Sequence, residues 1–414
     1  MKSLKKEIED YVSNNPIRFH MPGHSGGDLM DRDFQKIASN DITELSFSDN
    51  LQFPTSSIFR MEKKLANIYS CNTSLVLTTG STTGIQIAAL LARERGGRIM
   101  IFGEPHKSIL SAIELFKLKS VDYNNKDLDN VDAIYITTPN YLGKVYTDVE
   151  EIILAAQVKG ILTIVDEAHA AHFQMSKLFP KSYSGIADIV ITSLHKTLPV
   201  LAGGAVINIK DAKIAKRCLV YRQRLHTTSP SYLILMSIDK FIEDREKYLL
   251  IYDDMKRIID ESLQRTTKLK LAHYDDFTRL FVDAGKLDAK NVESYLRQNN
   301  TYAEGIIDNK IVFIVTPFNY RHLDYLVEIL NSYQEDYKRF DNEQTDYLLY
   351  NNSVTVNLND AIGKKSLLDV GIYPPGKILI FAGEEITKEA VEKLKAASTT
   401  FGVIGDTILV EGEE

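Results

Sequence analysis

The sequence predicts an α/β protein: a mostly parallel sheet covered by helices on both faces, with a smaller α/β domain after it. Three observations carry this. From Thr73 to Ile209, short runs rich in β-branched residues alternate with helical segments, the pattern of strands joined by crossover helices. These strands read as near-continuous apolar runs, as expected for strands buried on both sides. Their polar residues gather at the strand ends, and in open α/β sheets ligands bind at the carboxyl ends of the strands.

Composition bounds the function. The chain has 414 residues, 25% of them charged and 44% hydrophobic, enough for two domains and a large core. A net charge of -7 argues against a nucleic-acid or anionic-membrane partner. Cys71 and Cys218 are far apart and lack metal-type spacing, which fits a reducing cytosol and a cytoplasmic location. The first residues, Met1-Lys-Ser-Leu-Lys-Lys-Glu, have no apolar stretch of the signal-peptide kind, and no apolar run is long enough to span a bilayer.

Residues Leu4 to Ser13 predict an amphipathic helix. Arg18 to Gly27 is turn-rich. It carries His20 and His24, but Pro22-Gly23 breaks any helix that would align them and no third ligand follows. A loop beside a polar site is expected there, without a metal. Asp41 to Leu51 is irregular, and Ile58 to Tyr69 predicts a helix. Thr73 to Thr79 is a strand, followed by Gly80-Ser81-Thr82-Thr83-Gly84 and an apolar helix from Ile85 to Arg93. A strand, a small-residue turn and a helix start together suit an anion such as a phosphate, with Ser81 and Thr82 adding hydroxyl donors. The same residues also cap helices that hold no ligand.

Gly97 to Phe102 is the next strand, and a helix runs through Phe116. His106, at the strand's end, either lies flat on an aromatic cofactor or starts the helix with a bond to the backbone; by itself the residue favours the second. Val131 to Thr137 is a strand and Asp148 to Gly160 a crossover helix. Ile161 to Asp166 and Ala187 to Ser193 are strands ending in Asp166-Glu-Ala168-His169 and Ser193-Leu-His195-Lys196, and Gly203 to Ile209 follows. One strand thus delivers a carboxylate and another an amine. This pair suits pyridoxal phosphate (PLP), with Lys196 as the Schiff-base lysine and Asp166 keeping the pyridine nitrogen protonated. Solvated loop charges would look the same, so the pair alone leaves both possibilities open. Tyr232 to Leu263 predicts one long helical segment. Beyond it lie shorter elements: strands Thr278 to Asp283 and Ile311 to Thr316, helices Val292 to Arg297 and Arg321 to Tyr333, and a tail ending in a helix from Lys388 to Ala397.

Asp166-Glu-Ala-His169 also spells a helicase box, but the phosphate loop it requires is missing upstream. Taken together, the motifs resemble the Orn/Lys/Arg decarboxylase family of the aspartate-aminotransferase fold. The carriers are His20-Met-Pro-Gly-His24, Asp41-Ile-Thr-Glu44, Gly80-Ser81-Thr82, His106-Lys-Ser108, Asp166-Glu-Ala-His169, Ser193-Leu-His-Lys196-Thr-Leu-Pro199, Thr228-Ser-Pro-Ser-Tyr232, and Tyr373-Pro-Pro-Gly376 with Gly383-Glu384. They fall in family order and span nearly the whole chain, which resembles the short form without the N-terminal wing domain.

The resemblance implies a PLP-dependent transferase-like large domain and decarboxylation of arginine, lysine or ornithine. Its alternatives are another PLP reaction on the same fold or a catalytically silent PLP-binding regulator. It implies that Lys196 holds PLP, Asp166 meets the ring nitrogen, His106 stacks on the ring, and Ala168 packs beneath it. His169 would reach the phenolic oxygen. Gly80, Ser81, Thr82, Ser193 and His195 would bind the phosphate. Thr228 and Ser229 would come from the partner subunit, making a homodimer with active sites at the interface. His20, His24 and Glu384 are weaker candidates for substrate contact, and Arg321 and Arg339 for the carboxylate clamp of an aminotransferase. Residues 1–60 would form an N-terminal arm, 61–264 the large domain with its linking helix, and 265–414 the small domain. Departures from the family pattern fall at Ser25, Gly103-Glu104-Pro105, Leu201-Ala202-Gly203 and Lys377-Ile378. They touch the rim where substrate would sit.

Overall fold

Alternating apolar residues give each central strand two buried faces, and both are covered. The computed structural model describes residues 2–123, 128–334, 353–373, 376–397 and 399–411. Contacts divide the chain into one unit of Met1–Asn140 with Lys144–Asp253 and a second of Tyr141–Gly143 with Asp254–Glu414. The boundary between Asp253 and Asp254 falls within the segment expected to be the linking helix.

In chain order the first unit contains α1 (Leu4–Ser13), α2 (Arg32–Ala38), α3 (Ser57–Ile68), β1 (Thr73–Leu77), α4 (Ser81–Glu94), β2 (Arg98–Phe102), α5 (Lys107–Leu115), β3 (Lys119–Asp122), β4 (Ala133–Thr137), α6 (Val149–Val158), β5 (Leu162–Asp166), β6 (Ile189–Thr192), β7 (Ala205–Ile209), α7 (Ala212–Leu225) and α8 (Tyr232–Leu249). The sheet order is β1-β7-β6-β5-β4-β2-β3. β2, β3, β4, β5 and β6 pair in parallel, and β7 runs antiparallel between β6 and β1. Side chains alternate between two cores. Leu77, Tyr135, Ile164, Ile191 and Ile207 pack with α4, α5 and α7 on one face. Ile134, Ile136, Val165 and Val190 pack with Val149, Ile152 and Ile153 of α6 on the other. This is the mostly parallel, helix-covered sheet that the sequence predicts.

The second unit begins within α9 (Ile251–Arg265). It continues through β8 (Leu271–Ala272), β9 (Arg279–Asp283), α10 (Ala289–Gln298), β10 (Gly305–Ile307), β11 (Lys310–Ile314), α11 (Leu323–Ser332), β12 (Ser353–Asn357), β13 (Val370–Ile372), β14 (Lys377–Ile380), α12 (Lys388–Ala396), β15 (Thr400–Phe401), β16 (Val403–Ile404) and β17 (Thr407–Glu411). All strand pairs described there are antiparallel.

Two expectations need correction. The segment from Tyr232 is two helices, not one, with the break at Leu250. The buried stripe, Leu235, Ile238, Phe241, Tyr252, Met255 and Ile259, keeps helical spacing across the break, so periodicity gives no sign of it. Helix α7 went unpredicted because Lys and Arg residues interrupt its apolar positions. It is set by Asp211, whose carboxylate accepts from the amides of Lys213 and Ile214.

α7 also carries a buried ion pair. The Arg222 guanidinium donates to Glu62 of α3, and its Nη1 lies 3.3 Å from the Val76 carbonyl oxygen. Glu62 Oε1 accepts from the Val76 amide at 2.9 Å. The pair locks α3, β1 and α7 together. Removing the cation alone strands a buried carboxylate, so Arg222→Met should destabilise the protein by about 3–5 kcal/mol. Denaturant titration should show this loss, with part of it recovered by adding Glu62→Gln.

The turn after β5 has its own buried acid. The Glu167 amide donates to the Ile191 carbonyl at 2.9 Å, tying the end of β5 to β6. Its carboxyl oxygens accept from the Ser182 hydroxyl at 2.6 Å and the Tyr183 amide at 2.5 Å. Burial pushes the Glu167 carboxyl up to about 7, with the Asp166 charge adding to it, against the two hydrogen bonds. A raised folded-state value means that its protonated form stabilises the fold at low pH. That contribution is complete below its unfolded value near ~4.3 and is lost as pH rises through about 7. Glu167→Gln, a mimic of the neutral acid, should flatten the fall in thermal midpoint across this window.

Candidate active site

β5 and β6 pair in parallel with Asp166 opposite Ile191, so the carboxyl ends of both strands open at one edge. Asp166 closes β5. It is buried, and its Oδ2 accepts from the Tyr135 hydroxyl at 2.6 Å while Oδ1 accepts from the Ala168 amide at 3.0 Å. Among the described residues it forms no ion pair. Past the end of β6, Ser193 leads into a single tight turn, Leu194–Lys196. This turn brings the Lys196 Nζ to 3.0 Å from His169 Nε2, and His169 stands three residues beyond Asp166.

His106 joins these groups electrostatically. Burial pushes its imidazole down to about 4; the Asp166 carboxylate opposes that shift and Lys196 adds to it. Both charges thus act on one ring. The ring caps α5: Nδ1 accepts from the Ser108 amide at 3.2 Å and lies 2.7 Å from the Ser108 hydroxyl. The backbone-bonded role favoured by the residue alone is present. Such a bond uses the ring's edge, which leaves the stacking role open.

The anion turn is built from β1, α4 and the segment before β7. The Gly80 amide donates to the Gly203 carbonyl at 2.7 Å, and the Ser81 and Ser193 hydroxyls are 2.8 Å apart. Gly203 has φ +96°, and a Cβ there would sit 2.9 Å from the Thr78 carbonyl oxygen. The departure at Leu201-Ala202-Gly203 is therefore part of the turn's backing. Gly84 lets α4 lie close on the sheet, since a Cβ would meet Ile191 at 3.1 Å and Ile207 at 3.2 Å. Thr82 is exposed in the first turn of α4. His195 Nδ1 is 3.0 Å from the Gly204 carbonyl, so the neutral ring carries its proton on that nitrogen, and burial lowers its pKa. His226, not foreseen, accepts the Thr78 amide proton on Nε2 at 2.9 Å and holds the strand end that feeds the turn.

The remaining predicted residues have the following surroundings. Thr228 and Ser229 are exposed, and the Ser229 amide bonds the Thr227 hydroxyl at 3.1 Å. His20 lies 2.7 Å from the Tyr11 hydroxyl. His24 lies 3.3 Å from Asp41 and accepts the Gly26 amide proton. No metal-binding cluster occurs among the described residues. In the second unit, Glu384 accepts the Phe381 amide proton at 3.0 Å, closing its own turn. Arg321 Nε bonds the Tyr320 hydroxyl at 3.3 Å. Arg339, Pro374 and Pro375 lie outside the described residues, and no described helix is long and apolar enough to cross a membrane.

A lysine amine, a buried carboxylate and a helix start with hydroxyls make a set that can hold a phosphorylated heteroaromatic aldehyde. Known proteins share the fold. A lysine decarboxylase from Francisella novicida, LdcF, superposes with a TM-score of 0.77 at 13% identity, covering 99% of this chain and 81% of that one. A serine palmitoyltransferase solved with its PLP internal aldimine has a TM-score of 0.54 at 15% identity over 69% of this chain and 80% of its own. In sequence the chain is 29% identical to the uncharacterized protein YaaO of Bacillus subtilis (strain 168), over 94% of this chain and 93% of that one. It is 25% identical to an arginine decarboxylase of the same organism, over 93% and 91%. The family profile described as Orn/Lys/Arg decarboxylase, major domain, matches residues 3–127 and 117–280. By that match the chain belongs to the Orn/Lys/Arg decarboxylase family.

Proposed function

We propose that this protein binds PLP at Lys196 and decarboxylates a basic amino acid, arginine, lysine or ornithine, to its amine and CO₂. The observation that carries the proposal is the Asp166 carboxylate, buried and without an ion pair among the described residues, at the strand end beside the one that delivers Lys196. Such a carboxylate is complementary to a protonated ring nitrogen. When bound, PLP supplies the electron sink for the pair left behind as CO₂ departs.

The chain's own residues do the rest. Lys196 would hold the cofactor's aldehyde group through its amine. Asp166 accepts the N–H of the ring nitrogen and keeps that proton in place. His106 stacks on the ring as a neutral imidazole, consistent with its lowered pKa. Ala168 packs beneath the ring, and His169, already against the Lys196 amine, meets the phenolic oxygen. Ser81, Thr82 and Ser193 would donate to the phosphate at the start of α4, in the turn that Gly80 shapes with its own amide held by Gly203. His195 can add a donor only when protonated, because its neutral ring directs Nδ1–H at Gly204. Lys196 returns a proton to the substrate's α-carbon. His20, His24 and Glu384 are the candidates for the substrate's own groups.

The active unit is proposed to be a homodimer in the cytoplasm. Phe19 is 99% exposed and Leu29 103% exposed, and Met21 and Phe53 are also exposed; large apolar side chains left bare in this way favour burial against a second copy. The hydroxyls of Thr228 and Ser229, exposed here, then complete the phosphate site of the second copy.

Purified with PLP and offered a panel of amino acids, the protein should release amine and CO₂ in equal amounts from a basic substrate. Accumulation of a keto acid would point instead to an aminotransferase. Borohydride should fix the cofactor's mass to the peptide bearing Lys196, and Lys196→Ala should lose both this adduct and the visible band. A retained band would overturn the assignment. In sedimentation the wild type should run as a dimer, and Phe19→Asp combined with Leu29→Asp should shift it towards monomer and weaken PLP retention.

A further inference from the structure

β4 carries a tyrosine where its neighbours on that face are aliphatic. Tyr135 is fully buried among Ile99, Leu162, Ile164 and Ile191. A hydroxyl in such a place costs stability unless it is bonded, and its described partner is Asp166 Oδ2, at 2.6 Å. The register explains the reach. Tyr135 pairs with Ile164, and Asp166 stands two residues further along β5, on the same face. A rise of ~3.3 Å per residue and a strand spacing of ~4.8 Å separate the two Cα atoms by roughly 8 Å. A serine or threonine falls short of that span, and a phenylalanine fills it without a donor.

We infer that Tyr135 is a positioning residue for the cofactor: its hydroxyl, with the Ala168 amide, fixes the plane of the Asp166 carboxylate and so the oxygen offered to the ring nitrogen. Each carboxylate oxygen already accepts one proton, so rotation of the group would break both bonds. Burial, and then the adjacent carboxylate, holds the phenol far above its usual range, so it stays a donor at any ordinary pH. This inference rests on the proposal that Asp166 meets the PLP ring.

Tyr135→Phe keeps the ring and removes only the donor. Apoprotein titrated with PLP should bind it roughly tenfold more weakly in this variant, the scale of one hydrogen bond to a charged group. The ratio of visible circular dichroism to absorbance should also fall, because the bound ring is less firmly oriented. The decisive comparison is with Asp166→Ala. There, adding Tyr135→Phe should change neither affinity nor ratio. Equal weakening in both backgrounds would make Tyr135 a packing residue and overturn the inference, as would an unchanged Tyr135→Phe. A wild type that takes up no PLP would instead remove the cofactor proposal, and this inference with it. Uptake that Asp166→Ala leaves unaltered would remove the role of Asp166.

Discussion

A buried carboxylate that forms no ion pair among the described residues is the constraint on which this structure turns. Desolvating Asp166 is costly, and the two hydrogen bonds it accepts offset only part of that cost. Neutral alternatives such as asparagine would suit an empty interior better. The site makes physical sense when a positive group arrives from outside the chain, and a protonated pyridine nitrogen is such a group. The surrounding architecture keeps this carboxylate fixed: the parallel β4–β5 register supplies Tyr135, and the turn beyond β5 supplies the Ala168 amide. Glu167, pointing the other way, anchors that turn to Ser182 and Tyr183.

Much of this was legible in the sequence, for identifiable reasons. The strands of the large sheet are apolar on both faces and end abruptly in polar residues, so their positions and their functional edge both follow from pattern. The strand-end pair Asp166 and Lys196 stood out because acid and amine interrupt otherwise aliphatic runs. What stayed hidden depends on contacts across the fold. Tyr135 looks like an ordinary strand aromatic until the register sets it diagonally from Asp166. His226 lies beyond α7, a helix whose Lys and Arg residues obscure its apolar face, and its role appears only when its Nε2 reaches Thr78. The break at Leu250 is invisible because the buried stripe crosses it in phase. For Glu384, the local turn it closes is evident in the structure, whereas a part in substrate recognition belongs to the proposal alone.

The departures from family pattern divide in the same physical terms. Gly203 fits only a glycine, because the Thr78 carbonyl occupies the space of a side chain. Together with the bond from Gly80 to its carbonyl, this makes the change part of the wall behind the turn at the start of α4. A segment that still supports the turn is under a different constraint from one that has drifted. Lys377 begins β14 in the second unit.

Burial lowers the pKa of three imidazoles around this edge, His106, His195 and His226. Each is also committed through a ring nitrogen to backbone, at Ser108, at Gly204, and at Thr78 and Thr227. Neutral rings so held are poor sources of positive charge. In the proposed function the phosphate must then be met chiefly by amides, hydroxyls and the dipole of α4. Hydroxyl-rich recognition of this kind gains from every donor available, and on the first subunit those donors are Ser81, Thr82 and Ser193. The exposed Thr228 and Ser229 are the same chemical type, so their contribution from a second copy would extend a site already built of hydroxyls. In that proposal the charge for the chemistry would come from Asp166 and Lys196, one holding a proton at the ring nitrogen and the other moving protons at the substrate carbon.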